Sequence, residues 1–247
     1  MTAPNTLLGK VMLVLHAFGA DDEQVGFAEL QQRTDLPKAT LHRLLGDLAD
    51  ARLIDRDPGG YRLGGHLFEL GMRASVERKL IEVATPFLED LYERTHETVH
   101  LGIRDGHEVV YVAKLAGHQQ AASPSRLGGR LPLHATAIGK VLLAHAPPEV
   151  QNEILSGKLE RRAARTLVTP GALTRQLVQV VETGVAYEFE ESQVGLVCVA
   201  GPIRSHGSRV VAAVSVAGPV TRFHPQTHAA SVRAAAAGIS EALKSRQ

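Results

Sequence analysis

The chain has 247 residues, 44% hydrophobic and 21% charged, which are globular values sufficient for one large core or two ordinary ones. Its 27 Lys and Arg against 26 Asp and Glu leave a formal charge of +1, which excludes a bulk polycation, so any affinity for nucleic acid has to be local. One cysteine excludes an intramolecular disulfide framework and a cysteine-rich zinc site; with no run of about 18 apolar residues, a cytoplasmic protein with no membrane partner is expected.

A first helix is expected from Thr6 to Phe18, with Leu7, Leu8, Val11, Met12 and Leu15 as its apolar stripe. Gly19 to Gln24 carries Asp21, Asp22 and Glu23 and reads as a solvated connection to a second short helix, Phe27 to Arg33, with Phe27 and Leu30 inward. The turn Asp35-Leu36-Pro37 leads into a third helix that begins at Pro37 or Lys38, with Pro37 suited to the first helical position. There Leu41, Leu44, Leu45 and Leu48 fall at i, i+3, i+4, i+7 and form one buried face. Opposite them lie Ala39, Arg43, Gly46 and Asp50, flanked by Thr40, His42 and Asp47. Leu53 to Asp57 and Tyr61 to Leu63 read as strands around the turn Pro58-Gly-Gly60. Three helices and a hairpin in this order make a winged helix-turn-helix, whose third helix is built to enter a major groove of double-stranded DNA.

On that reading Arg43 is the leading base reader, because its guanidinium can donate twice to one guanine. Lys38 and Thr40 suit phosphate anchoring, Ala39 a thymine methyl, and His42 borders them. Arg56 and Arg62 sit on the wing, for phosphate or minor-groove contact or simply as a solvated hairpin. Residues 1–79 hold 10 Lys and Arg against 11 Asp and Glu, so specificity must come from a few placed side chains. A winged helix also binds protein, and fold alone does not decide.

Leu67 to Lys79 is expected to be a helical rod connecting two domains, continuing toward Pro86, followed by a helical stripe of Phe87, Leu88, Leu91 and Tyr92. The period then changes: Thr98 to Ile103 and Glu108 to Leu115 are strand-like around Asp105-Gly106, with Gly102 and Gly106 read as hairpin glycines. Gly117 to Arg130 reads as a long loop and Ala135 to His145 as a helix. A short helix opens at Glu149, and another spans Pro170 to Glu182. Val185 to Phe189, Gly195 to Ile203 and Arg209 to Ala217 read as strands, and Pro225 to Lys244 as a closing helix. The fold class is α+β, with domains at residues 1–65 and 81–247 and a linker helix at 66–80.

Little points to catalysis. There is no G-x-S-x-G, no G-x-x-x-x-G-K-[ST] and no His-Glu-x-x-His, and the single cysteine has no recognisable base partner. His96 and His100 have the i, i+4 spacing of a metal pair, but the helix ends near Thr95, so they do not share a helical face. No catalytic residue, metal or cofactor is expected. A metabolite-binding module, or an enzyme using a pocket in the second domain, remains the alternative function.

Three stretches carry a likeness to a known family. They are Leu36-Pro-Lys-Ala-Thr-Leu-His-Arg-Leu-Leu45, then Gly129-Arg-Leu-Pro-Leu-His-Ala-Thr-Ala-Ile-Gly-Lys-Val-Leu-Leu-Ala144, and finally Gly195-Leu-Val-Cys-Val-Ala-Gly-Pro-Ile203 followed by Val211-Ala-Ala-Val-Ser-Val-Ala-Gly-Pro219. In order and spacing the chain resembles the IclR-type bacterial transcriptional regulators over nearly its full length. The resemblance implies a winged helix-turn-helix, a linker helix, and a GAF-like C-terminal domain with a central antiparallel sheet that senses a small molecule. It also implies a homodimer or homotetramer on a palindromic operator, acting as repressor or activator. Carried onto this sequence, the effector pocket is expected around Thr136, Ala137, Ile138, Glu188, Leu196, Cys198 and Ser215. A helix start near Ala135 to Ala137 favours a carboxylate through its free N–H groups. The run Glu188, Glu190, Glu191 with Tyr187 and Phe189 is more negative and more aromatic than the family pattern, and Ala217 replaces a hydroxyl of some members, so an amine or neutral ligand also stays open.

Overall fold

The computed structural model describes residues 6–73, 75–117 and 123–245, which form two compact units, residues 1–78 and 79–247. In the first, α1 is Leu7–His16, α2 Phe27–Thr34 and α3 Lys38–Asp50. Thr6 caps α1 by accepting a hydrogen bond from the Gly9 amide at 3.0 Å. α2 ends at Asp35, which adopts the left-handed conformation at φ 53° and so reverses the chain within a short turn. Pro37 stands one position earlier than expected: it is the N-cap of α3, its extended ψ of 137° lying outside the helix, and Lys38 is the first helical residue.

Leu41, Leu44, Leu45 and Leu48 of α3 pack with Val14, Leu30, Leu36 and Ile54 into one core. The hairpin of β1 (Ile54–Asp57) and β2 (Gly60–Leu63) is tied to the chain before α2 by reciprocal Val25 and Tyr61 backbone bonds of 2.8 and 2.9 Å. Gly60 is required here. Its φ is +143°, and a Cβ would lie 2.6 Å from the Val25 carbonyl oxygen.

The segment read as one connecting rod is two helices, α4 (Gly65–Gly71) and α5 (Ser75–Thr95), with Met72 and Arg73 in a turn after the first. None of α4 is buried, so no packing sustains its propagation past Gly71. The linker expected at residues 66–80 is apportioned between the two compact units, whose boundary falls within α5.

The second unit is built on a six-stranded antiparallel sheet ordered β5-β4-β3-β8-β7-β6. Its strands are β3 (Thr98–Asp105), β4 (Glu108–Leu115), β5 (Arg130–Pro132), β6 (Ala186–Phe189), β7 (Leu196–Arg204) and β8 (Val210–Pro219). β5 begins at Arg130, the last residue of the stretch expected to be loop; three residues are too few to show a period. Gly106 turns the β3–β4 hairpin at φ 60°, whereas Gly102 sits mid-strand where the β3–β4 register shifts, not in the turn.

Strand alternation divides the core. Val197, Val199, Val214 and Val216 face α5 and α9 (Ala229–Ser245), whereas Cys198, Ala200, Ala213 and Ala217 face α6 (Ala137–Ala144), α7 (Pro148–Ser156) and α8 (Pro170–Thr183). The middle strands are thus covered on both faces, which is why β7 and β8 are almost wholly apolar. Among the described residues, no helix is long and apolar enough to cross a membrane.

Leu44 is 1% exposed in a core supplied by residues of the first unit alone. Leu44→Ala is expected to destabilise that unit by about 2–5 kcal/mol. Hydrogen exchange should then accelerate in α1–α3 while the six-stranded sheet keeps its protection; equal loss in both units would contradict separate cores.

Candidate functional site

The start of α6 is held by close packing. Gly102 of β3 leaves room for Ile138, whose Cγ2 would be 2.9 Å from a Cβ there, and Gly139 lets the helix approach the Leu133 carbonyl, which would be 2.2 Å from an added Cβ. Thr136 is the N-cap and accepts from the Gly139 amide at 2.9 Å. The helix therefore begins two residues later than expected, after a 3₁₀ turn at Leu133–Ala135. The amides of Ala137 and Ile138, in its first turn, have no intrahelical acceptor and border a cavity.

That cavity is narrow, with about 20 Å³ of free space, room for about one water molecule. All seven residues expected at an effector pocket line it. Thr136, Ala137 and Ile138 come from the start of α6, Glu188 from β6, Leu196 and Cys198 from β7, and Ser215 from β8; Ala217 is also present. The structure adds His100, Tyr111, Leu131, Ser123, Ser125 and Ser192, which sequence reasoning missed. The spacing of His100 from His96 suggests only half of a metal pair. Its partner in that pattern, His96, is exposed beyond the end of α5 in a left-handed conformation at φ 52°. Val99 and Leu101 enter the opposite core, so strand alternation turns His100 to the cavity face.

Burial dominates the electrostatics. The Glu188 carboxyl is pushed above its ordinary value by desolvation, against the Ser192 hydrogen bonds and Lys140, which favour the anion. Its Oε1 accepts from the Ser192 amide at 2.9 Å and from the Ser192 hydroxyl. Burial likewise raises the Cys198 thiol and the Tyr111 phenol. His100 is driven down to about 3 by burial and the nearby Lys114 charge. Its Nε2 is 2.7 Å from the Ser125 hydroxyl.

The acidic run after β6 is dispersed. Glu190 pairs with Arg165 at 3.3 Å and accepts from the Gly195 amide. Glu191 is buried against the fully buried Lys140, Nζ to Oε1 2.6 Å, and Lys140 also donates to Gln176 at 2.7 Å. Only Glu188 of the three lines the cavity, while Tyr187 and Phe189 stack on one another and pack against the opposite face of the sheet. Lys140 was legible in principle, since a lysine within an apolar helix requires an acid, but its partner lies 51 residues on.

In the first unit the outward face of α3 is as expected in composition. Lys38, Ala39, His42 and Arg43 are exposed and Thr40 half-buried. Among the described residues neither Lys38 nor Arg43 has an acidic partner. A Cβ at Gly46 would meet nothing within 4 Å, so the face is open. On the wing, Arg62 pairs with Asp55 at 3.2 Å and Asp57 at 3.4 Å, and Arg56 lies 6.0 Å over the Tyr61 ring.

A winged helix-turn-helix followed by a sheet domain with a small cavity of mixed apolar and polar lining defines the class: a DNA-binding regulator. Residues 7–58 match the IclR helix-turn-helix domain, and residues 72–241 match the bacterial transcriptional regulator IclR C-terminal domain. The chain belongs to the IclR family of transcriptional regulators. It is 39% identical over 210 residues to the HTH-type transcriptional regulator XynR of Escherichia coli (strain K12), covering 84% of this chain and 83% of that protein. It is 35% identical to KdgR of the same organism over 94% and 90% of the two chains. Among solved structures, an IclR homolog complexed with 4-hydroxybenzoate from Microbacterium hydrocarbonoxydans is similar at 33% identity and TM-score 0.90, covering 96% of this chain and 99% of that one.

His100 also makes stability depend on pH. Its native value is about 3 against an ordinary 6.5, so between these the unfolded chain binds a proton that the native ring does not. Stability contributed by the neutral ring is therefore present above pH 6.5 and is lost as pH falls toward 3. Urea midpoints at pH 7 and pH 5 should separate less in His100→Gln than in the native chain; an unchanged separation would contradict a buried neutral ring.

Proposed function

We propose that the cavity of the C-terminal domain binds a small organic acid and that this ligand modulates binding of a homo-oligomer of the protein to a palindromic operator. The observation that carries the reading is the start of α6, where Ala137 and Ile138, whose amides have no intrahelical acceptor, line the cavity at the positive end of the helix. Two acids of the run do not oppose an anion there, because Arg165 and Lys140 take up Glu190 and Glu191, and the Glu188 carboxylate oxygen Oε1 is engaged by the Ser192 amide and hydroxyl. The complex of a similar homolog with 4-hydroxybenzoate supports the same ligand class. Leu131, Ile138 and Leu196 supply apolar walls for the body of such a molecule. The ligand acts through its difference in affinity between DNA-competent and DNA-incompetent states.

On the DNA side, Arg43 reads a base edge and Lys38 and Thr40 hold phosphates, with Ala39 and His42 beside them. Arg56 and Arg62 of the wing reach the backbone only by leaving Tyr61 and the aspartates that now engage them.

Two variants separate the functions. Against a duplex selected from a random library by the native protein, Arg43→Ala should weaken specific binding about tenfold or more, measured by fluorescence anisotropy, with ligand binding intact. Native affinity equal for selected and scrambled duplexes would defeat the operator reading. Ser215→Trp, which fills the cavity, should abolish calorimetric binding of small acids while DNA binding persists. A folded Ser215→Trp protein with native acid affinity would place the ligand elsewhere.

A further inference from the structure

We propose that His100, set between the hydroxyls of Ser125 and Ser215, selects effectors that carry a neutral hydroxyl or carbonyl group in addition to their acid group; this rests on the reading of the cavity as a small-acid site. His100 on β3 lies directly opposite Ser215 on β8, while Glu188 on β6 lies opposite Cys198 on β7, which lies opposite Ala217. All five residues line the same cavity. With the order β3-β8-β7-β6, His100 and Glu188 stand three strands apart, about 14 Å of sheet. The cavity floor therefore has a polar group near each side and Cys198 and Ala217 between them.

The chemistry at His100 suits a neutral partner. The residue is 3% exposed, its Nε2 lies 2.7 Å from Ser125 Oγ and its Nδ1 3.5 Å from Ser215 Oγ, the second a long contact that a ligand oxygen can replace. The Tyr111 ring meets it edge-on with centroids 5.2 Å apart and fixes its plane. Burial holds the imidazole neutral, with one donor and one acceptor. That pair matches a hydroxyl or carbonyl, whereas a carboxylate buried there would need a cation or several N–H groups. The nearby cation, Lys114, is the cross-strand neighbour of His100, and it donates to the Ser125 carbonyl at 2.8 Å, bracing the serine rather than lining the cavity. Ser123 Oγ is 2.7 Å from Ser125 Oγ, so the hydroxyls beside His100 can exchange donor and acceptor roles as a ligand enters.

The test is calorimetric titration of the full-length protein with two pairs of acids that differ by one neutral oxygen: 4-hydroxybenzoate against benzoate, and pyruvate against propanoate. The native protein should bind at least one oxygenated acid about tenfold tighter than its partner, as expected for one hydrogen bond made in a buried site. His100→Phe should bring that ratio to about one, His100→Gln should retain it, and Ser125→Ala, a milder change, should lower it. A native ratio near one, or a ratio unchanged in a folded His100→Phe protein, overturns the role of His100 and leaves the cavity a small-acid site. If the folded, DNA-binding native protein takes none of the four acids, the small-acid reading fails and the inference fails with it.

Discussion

The arrangement of the second unit depends on Lys140. Its charge has no exposure, and Glu191 and Gln176 supply its partners from the segment after β6 and from α8. A buried pair of this kind adds little net stability, because desolvating both ions offsets their attraction, but removing either partner strands a charge in the interior. Its consequence is positional. The segment from Glu188 to Ser192 is held against α6 through Glu191, Glu188 of the same segment is aimed into the cavity, and Thr166 reinforces the placement by donating to the Glu191 carbonyl at 2.6 Å. Glu191 Oε2 has no hydrogen-bond partner among the described residues, so the pair is held with one acceptor unused.

Around that anchor, two glycines set how closely α6 approaches its surroundings. Gly102 admits Ile138 and Gly139 admits the Leu133 carbonyl, and together they bring the first turn of the helix to the cavity edge. The sheet supplies the floor through alternation: β7 sends Cys198 to the cavity and Val197 and Val199 to the opposite core. A single strand thereby serves a polar cavity on one face and an apolar core on the other.

The first unit solves a different problem, how to present a surface for DNA without a surplus of charge. Its leucine core fixes the axial rotation of α3, and the exposed residues then follow from helical geometry. Arg33 is consumed by Asp22 and Glu29, and Arg62 by Asp55 and Asp57, which leaves Lys38 and Arg43 as cations of α3 with no acidic partner among the described residues. On the proposed operator reading, discrimination rests on few side chains, and a homo-oligomer would raise affinity by presenting duplicate heads without raising charge.

Features that depend on local period and backbone preference are legible in the residues alone. The leucine stripe of α3, the turn glycines of the wing, the β3–β4 hairpin and the apolar runs of β7 and β8 are all of that kind, and the family likeness then named the cavity residues on four separate elements. Short or weakly packed pieces were not legible: β5 is too brief to show a period, and α4 ends early because nothing buries it. Tertiary packing places Glu190 and Glu191 in ion pairs and Glu188 at the cavity, turns Tyr187 and Phe189 away from it, and brings His100 in. Those outcomes depend on partners distant in sequence, Lys140 for Glu191, Arg165 for Glu190 and Ser125 for His100, and on which face of the sheet each strand residue takes. A side chain's charge and exposure are set by what is packed against it, and packing is not a local property of the chain.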